Sequence, residues 1–308
     1  MPRSTGPAPE EDGEAWIVEL ARARFPAGSP GAGIGDDAAV LDLGNAVTTD
    51  TMVEGVHWDE RLSPADVGWK LVAVNVSDLG AMGARPRWAT LALTLPRPLD
   101  RAWVRDFYAG LADALGHFGV QLVGGDTTRG PARMLSLTVG GAVRRPVLRS
   151  GGRPGDELWV TGELGLSAQA FLRAAPGTAA LAWFRRPRPP VGFGVALAEA
   201  GLATAMMDLS DGLAIDLRRL CRASGCGALV QPDALPGTGT LAERVAFGED
   251  YQLLFAASAE GAHAICCLAE ELEVPVSKVG CLTESEAVLL AGEEWPPAAF
   301  GHFTVESP

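Results

Sequence analysis

Stretches of period two and stretches of period near 3.6 alternate along the chain, which restricts it to folds built from both strands and helices. "RWATLALTLP" puts Leu91, Leu93 and Leu95 on one face and Thr90, Ala92 and Thr94 on the other, as in a strand with unlike faces. "DRAWVRDFYAGLADALGHFG" sets Val104, Phe107, Leu111 and Leu115 on one helical stripe. In "SPADVGWKLVAVNVSDLGAMG", Ser63 is placed to cap a helix whose first residue is Pro64. "AWIVELARARF" reads as an early helix; "AAVLDL", "AVTTDTMVEGV", "VQLVGGD" and "MLSLTVGGAV" read as strands. The segment 144–157, "RRPVLRSGGRPGDE", reads as a linker. Beyond it come the strands "LWVTG", "TAMMDLS" and "YQLLFAAS", with helices over "LGLSAQAFLRA", "PRPPVGFGVALAEAG", "DGLAIDLRRLCRASG" and "GAHAICCLAEEL". The expectation is an α/β chain of two domains, 1–147 and 148–308.

Charge narrows the partners. There are 38 Asp and Glu against 25 Lys and Arg, a net charge of −13. Such a surface repels nucleic acid and anionic membranes, so neither is an expected partner. It also repels phosphate-bearing small molecules unless cations intervene. No apolar run is long enough for a bilayer, and the first sixteen residues lack the pattern of a signal peptide and are expected to form a short tail. The five cysteines are odd in number and without C-x-x-C spacing, which points to inert thiols in a reducing compartment, the cytoplasm. Lys70 and Lys278 are the only lysines, which disfavours lysine-based chemistry.

Several aspartates follow apolar runs and sit beside Gly, Ser or Thr: Asp36 and Asp37 in "GIGDDAAVL", Asp50 in "VTTDTM", Asp78 in "NVSDLGAMG", Asp126 in "LVGGDTTRG", and Asp208 and Asp211 in "MMDLSDGLAID". Strand ends are where α/β proteins place ligands. Each alone fits a structural role: Asp36 ending a Gly turn, Asp50 in an Asx turn, Asp211 capping a helix. As a set they match Mg²⁺, which takes hard oxygen ligands, with Ser or Thr hydroxyls completing the shell and Gly letting backbone approach phosphate. An acidic protein that binds polyphosphate needs metal to cancel the repulsion. There is no G-x-x-x-x-G-K-[ST], no H-R-D and no D-F-G, and "GAGIGDD" lacks the third glycine of a dinucleotide fold.

The series "GIGDDAAVL", "TTDTMVEGVHW", "GWKLVAVNVSDLGAMGARPRWATLALTLP", "LVGGDTTRGP", "RSGGRPGDELWVTG", "MMDLSDGLAIDLRRL" and "FGEDYQLLF" resembles the thiamine-monophosphate kinases, in the superfamily that includes aminoimidazole ribonucleotide synthetase. "VSDLGAMGA" with "GGDTTRG" is the specific part. The resemblance implies a two-domain fold, with an N-terminal sheet domain that pairs in a homodimer and a C-terminal α/β domain. It implies transfer of the γ-phosphate of ATP to thiamine monophosphate, with several Mg²⁺ ions. By motif the metal ligands would be Asp37, Thr48, Thr49, Asp50, Asp78, Asp126, Asp208 and Asp211. Gly125, Asp126, Arg149 and Ser210 would contact ATP; His57 and Glu249 would contact thiamine monophosphate. Phe300 in "AAFGHF" would stack on the thiamine ring, with Phe303 as its rival. Trp58, Phe247 and Gln252 depart from the family pattern, all on the acceptor side.

The acceptor phosphate is already mostly a dianion at neutral pH, its second pKa being about 6, so direct in-line transfer requires no general base. No proton-transfer residue is therefore assigned. Two alternatives are another ATP-using member of the superfamily and a non-catalytic Mg²⁺-nucleotide sensor. The first is opposed by the lack of any Cys before Cys221 and by the ending "TVESP", the second by acidic residues intact in every motif.

Overall fold

The computed structural model describes residues 34–41, 44–173 and 178–295, together with Val18, Leu20 and Ala21. Most of the early helix expected over "AWIVELARARF" lies outside the described residues, and so do Phe300 and Phe303. Two sheets organise the rest. The first contains β1 (Ala39–Leu41), β2 (Asn45–Val53), β3 (Arg85–Leu95), β4 (Gln121–Arg129) and β5 (Met134–Ala142), in the order β1-β2-β5-β3-β4. Only the β3–β4 pair is parallel, and helix α2 (Arg101–Phe118) makes the crossover that a parallel pair requires.

Leu91, Leu93 and Leu95 share one core with Phe107, Leu111 and Leu115, as the strand alternation and the helical stripe anticipate. Helix α1 (Pro64–Ala81) runs through that core. Ser63 caps it by accepting from Asp66 N–H, and Asp66 returns the bond to the Ser63 backbone. Fifteen of its residues are buried, on all sides, which marks a central rather than a surface helix.

The second sheet contains β6 (Glu157–Thr161), β7 (Ala205–Asp208), β8 (Gly227–Val230), β9 (Leu253–Ala257), β10 (Val276–Thr283), β11 (Val288–Leu290) and β12 (Glu293–Glu294), in the order β12-β11-β8-β10-β6-β9-β7. Strands β6, β7 and β9 read as nearly continuous apolar runs because both faces are covered. Leu158, Val160, Met207 and Leu254 enter one core with helix α6 (Leu213–Ser224), while Trp159, Met206, Leu253 and Phe255 enter another with α5 (Val191–Ala200) and α8 (Ala262–Glu271).

Helices α3 (Leu166–Arg173), α4 (Ala179–Arg185) and α7 (Leu241–Ala246) are short. Leu181 and Phe184 of α4, with Tyr251, join the core of the first sheet, so the two halves share packing. Periodicity did not reveal α4, α7, β8 or the β10–β12 strands. Elements of two to seven residues carry too little pattern, and β10 is broken by a bulge between Lys278 and Gly280. Among the described residues no helix is long and apolar enough to cross a membrane.

Candidate active site

Polar side chains of α1 meet one face of β2. Asp78 accepts from the Thr48 hydroxyl at 2.6 Å, and the Asn75 carbonyl accepts from Asp50 N–H at 3.0 Å. Asn75 and Asp78 are three apart on a helix; Thr48 and Asp50 are two apart on a strand. Each spacing puts its pair on one face, so the two periodicities match across the contact. Ser77 donates at 2.7 Å to Asp208, at the end of β7. One helix thus joins the two sheets at their acidic ends.

Asp37, Asp78 and Asp208 come from the turn before β1, from α1 and from β7, and each brings a carboxylate oxygen within 4.8 Å of the other two. Asp37 Oδ2 and Asp208 Oδ1 are buried without a hydrogen-bond partner. Burial, with Asp50, Asp208 and Asp37 nearby, pushes the Asp78 carboxyl well above the usual carboxylate range. Burial and Asp37 do the same to Asp208. Asp50 is pushed up to about 6 by burial, with Asp211 and Asp37 adding repulsion. Buried carboxylates with unspent oxygens call for protons or a cation. The donor set, all hard oxygens with a hydroxyl alongside, fits a Mg²⁺-type ion.

The paired aspartates divide their work. Asp36 accepts from Arg149 N–H at 3.0 Å and holds the connecting segment, while Asp37 faces the cluster. Asp37 also takes the Arg149 guanidinium at 2.7 Å. Burial opposes the charge on Arg149, but Asp37, with Asp208 and Asp216 behind it, more than offsets this and keeps the guanidinium protonated.

The remaining predicted residues are placed less uniformly. Asp211 pairs with Arg219, and its backbone N–H donates to the fully buried Asp216 at 3.0 Å. Ser210 is next to the acceptor-side loop: its carbonyl accepts from Glu249 N–H at 2.8 Å. Glu249, in a left-handed conformation, pairs with Lys70 at 2.9 Å. His57 Nδ1 accepts from Val53 N–H at 3.0 Å, which fixes the ring at the end of β2.

Two predicted metal ligands are not gathered with the cluster. The Thr49 hydroxyl lies on the opposite strand face from Thr48 and Asp50, bonded to Thr138 at 2.8 Å. Asp126 is exposed on β4, at the sheet edge, beside an open cavity of about 420 Å³ lined also by Tyr108 and Gly125. A Cβ at Gly125 would sit 1.9 Å from the Leu91 carbonyl oxygen, so glycine there is required by strand packing. Phe300 lies outside the described residues.

Sequence reasoning missed Lys70, Asn75, Ser77, Asp216, Arg219 and Tyr251. Asn75 was recoverable from its spacing to Asp78. Arg219 and Asp216 are recognisable only from tertiary contacts. Tyr251 is buried, and burial together with Glu249, Asp50, Asp208 and Asp211 holds its phenol protonated.

Two linked α/β halves with acidic strand and helix ends turned towards one another define a class. Residues 35–143 match the AIR synthase related protein N-terminal domain, and 153–290 match the C-terminal domain. A thiamine-monophosphate kinase of Salmonella typhimurium (strain LT2) is 41% identical over 275 residues, covering 80% of this chain and 83% of that protein. That of Methanopyrus kandleri is 36% identical over 308 residues, covering 93% and 94%. A solved structure of AaThiL complexed with AMPPCP and TMP superposes with a TM-score of 0.83 at 29% identity, covering 97% of this chain and all of that one. The chain belongs to the AIR synthase related proteins, within their thiamine-monophosphate kinase family.

Proposed function

We propose that the protein transfers the γ-phosphoryl group of ATP to thiamine monophosphate, forming thiamine diphosphate and ADP. The observation that carries this reading is the Asp37–Asp78–Asp208 cluster with its two unspent buried oxygens, in a chain of this family. An oxygen of the acceptor phosphate attacks the γ-phosphorus, and the bond to the β–γ bridging oxygen breaks as ADP leaves. No base is needed, because the acceptor phosphate is already mostly a dianion at neutral pH. The main obstacle is bringing two anions together. Mg²⁺ held by Asp37, Asp50, Asp78 and Asp208, with Asp211 and Thr48 beside them, would cancel that repulsion.

The chain's own residues bind and orient. Arg149, Ser210 and Gly125 are assigned to the nucleotide, and His57 and Glu249 to thiamine monophosphate. The bond between Ser210 and Glu249 ties the two sides together and supports this division. We read 1–147 and 148–308 as the two domains. The cysteines are all free, which supports a cytoplasmic location.

We assign a homodimer formed through the first sheet. Its outer face carries Trp88 and Val123, 38% and 57% exposed, and β4 is an unpaired edge. Three strand spacings, about 14 Å, lie between β4, which carries Asp126, and β2, which carries Asp50. A second copy laid against this face would deliver Asp126 to the cluster, giving that ligand its role in trans.

The test is direct. Purified protein is incubated with ATP, Mg²⁺ and thiamine monophosphate, and product is separated by chromatography, with thiamine as control acceptor. Thiamine diphosphate from the monophosphate alone is expected; a folded protein that binds ATP and forms none would overturn the reading.

A further inference from the structure

Lys70 belongs to none of the motif assignments above. It lies in the middle of α1 with a side chain fully shielded from solvent. Its ammonium is 2.9 Å from the Glu249 carboxylate and 4.1 Å from the centre of the Phe184 ring. No well-aligned hydrogen bond completes its shell. Burying a lysine this way is costly, and an apolar residue of the same volume would pack as well. The arrangement therefore calls for a reason at Glu249.

Glu249 is held at three points. Its N–H donates to Ser210 at 2.8 Å, its carbonyl accepts from Ser167 at 2.6 Å, and Oε1 faces Lys70. Its backbone keeps a φ of 66°, which an L-residue adopts only when its surroundings impose it. The side chain is 31% exposed. Its second carboxylate oxygen has no partner among the described residues. Phe171 stands one turn beyond Ser167 on α3 and Phe247 two residues before Glu249; their rings lie 6.3 Å apart, with Phe171 half exposed.

We propose that Lys70 is a positioning residue for the acceptor. It fixes the direction of the Glu249 carboxylate, so that the free oxygen accepts a hydrogen bond from the amine of the acceptor's ring system. The inference rests on the acceptor assignment above. The same helix carries Asp78 eight residues on, about 12 Å along its axis. Lys70 and Asp78 therefore hold the acceptor carboxylate and the acidic cluster at a fixed separation.

Lys70→Met preserves volume and removes the charge. The expected result is a KM for thiamine monophosphate raised about ten- to a hundredfold, with kcat and the KM for ATP within about twofold. Glu249→Gln should give a similar rise. The double variant should be no worse than the weaker single one, because both remove one device. Calorimetric titration of thiamine monophosphate onto the protein should show the same weakening without turnover. Parallel losses for ATP and thiamine monophosphate, or additive effects of the two substitutions, would mean a structural role and overturn the proposal. Lys70→Met with an unchanged KM and unchanged binding would overturn it as well. If the wild-type protein neither binds thiamine monophosphate nor forms product, the acceptor assignment itself falls.

Discussion

Asp208 shows how a single buried carboxylate can be a liability without its ligand. One oxygen is satisfied by Ser77 and the other has no partner, in the company of Asp37 and Asp78. Asp208→Asn keeps the acceptor for Ser77 and removes one repelling charge. Activity is expected to fall at least about a hundredfold, while the urea midpoint at pH 8 stays level or rises. An equal loss of activity and stability would contradict the ligand role. Asp250 offers a pH test away from the cluster. It accepts from Gly165 N–H at 2.9 Å, and burial pushes its carboxyl up to about 7, with Glu249 adding repulsion. The folded state therefore keeps a proton that the unfolded chain gives up near pH 4. Stability contributed by this group is full at low pH and is lost as pH rises towards and through 7. Asp250→Asn should make the fall of unfolding free energy between pH 5 and 7 shallower by up to about 1.4 kcal/mol per pH unit, read by urea titration across that range. The aspartates were legible in the sequence because they sit beside small residues at the ends of apolar runs. Lys70 was not, because its meaning comes from a residue 179 positions away.

At the scale of elements, α1 and α2 cross closely because glycines meet. A Cβ on Gly110 would be 1.8 Å from the Ala65 carbonyl oxygen, and one on Gly68 would be 2.3 Å from that of Phe107. Both obstacles are backbone and cannot rotate away. Gly110→Ala should destabilise the protein by about 3 kcal/mol or more, since the helices must separate. Gly116→Ala in the same helix meets nothing within 4 Å and should instead stabilise it by about 0.5–1 kcal/mol. Thermal unfolding of the two variants side by side distinguishes a packing glycine from an incidental one. Helix α1 was placed from Ser63 and Pro64, and α2 from its stripe of Phe107, Leu111 and Leu115. Their crossing was not legible, because a glycine in a helix reads the same whether it faces solvent or another backbone.

At the scale of the molecule, the first sheet leaves a face and an edge uncovered, and Asp126 sits on that edge. If a second copy supplies Asp126 to the cluster, Asp126→Asn and Asp208→Asn should each be inactive alone. Mixing and re-forming the dimers should then recover up to about a quarter of wild-type activity, because a mixed dimer carries one intact site. No recovery in a sample whose mixed dimers are seen by native mass spectrometry would place Asp126 in cis.

The amino-acid order alone determined the alternation of strands and helices, the capped start of α1, the acidic motifs and the family, since each is local and survives without a partner segment. The tertiary structure decided which of those acids converge. It brought Asp37, Asp78 and Asp208 to one point, turned Thr49 to the other face, and left Asp126 at an edge. Convergence depends on strand order and on helix crossing, and these are set by packing between segments more than a hundred residues apart.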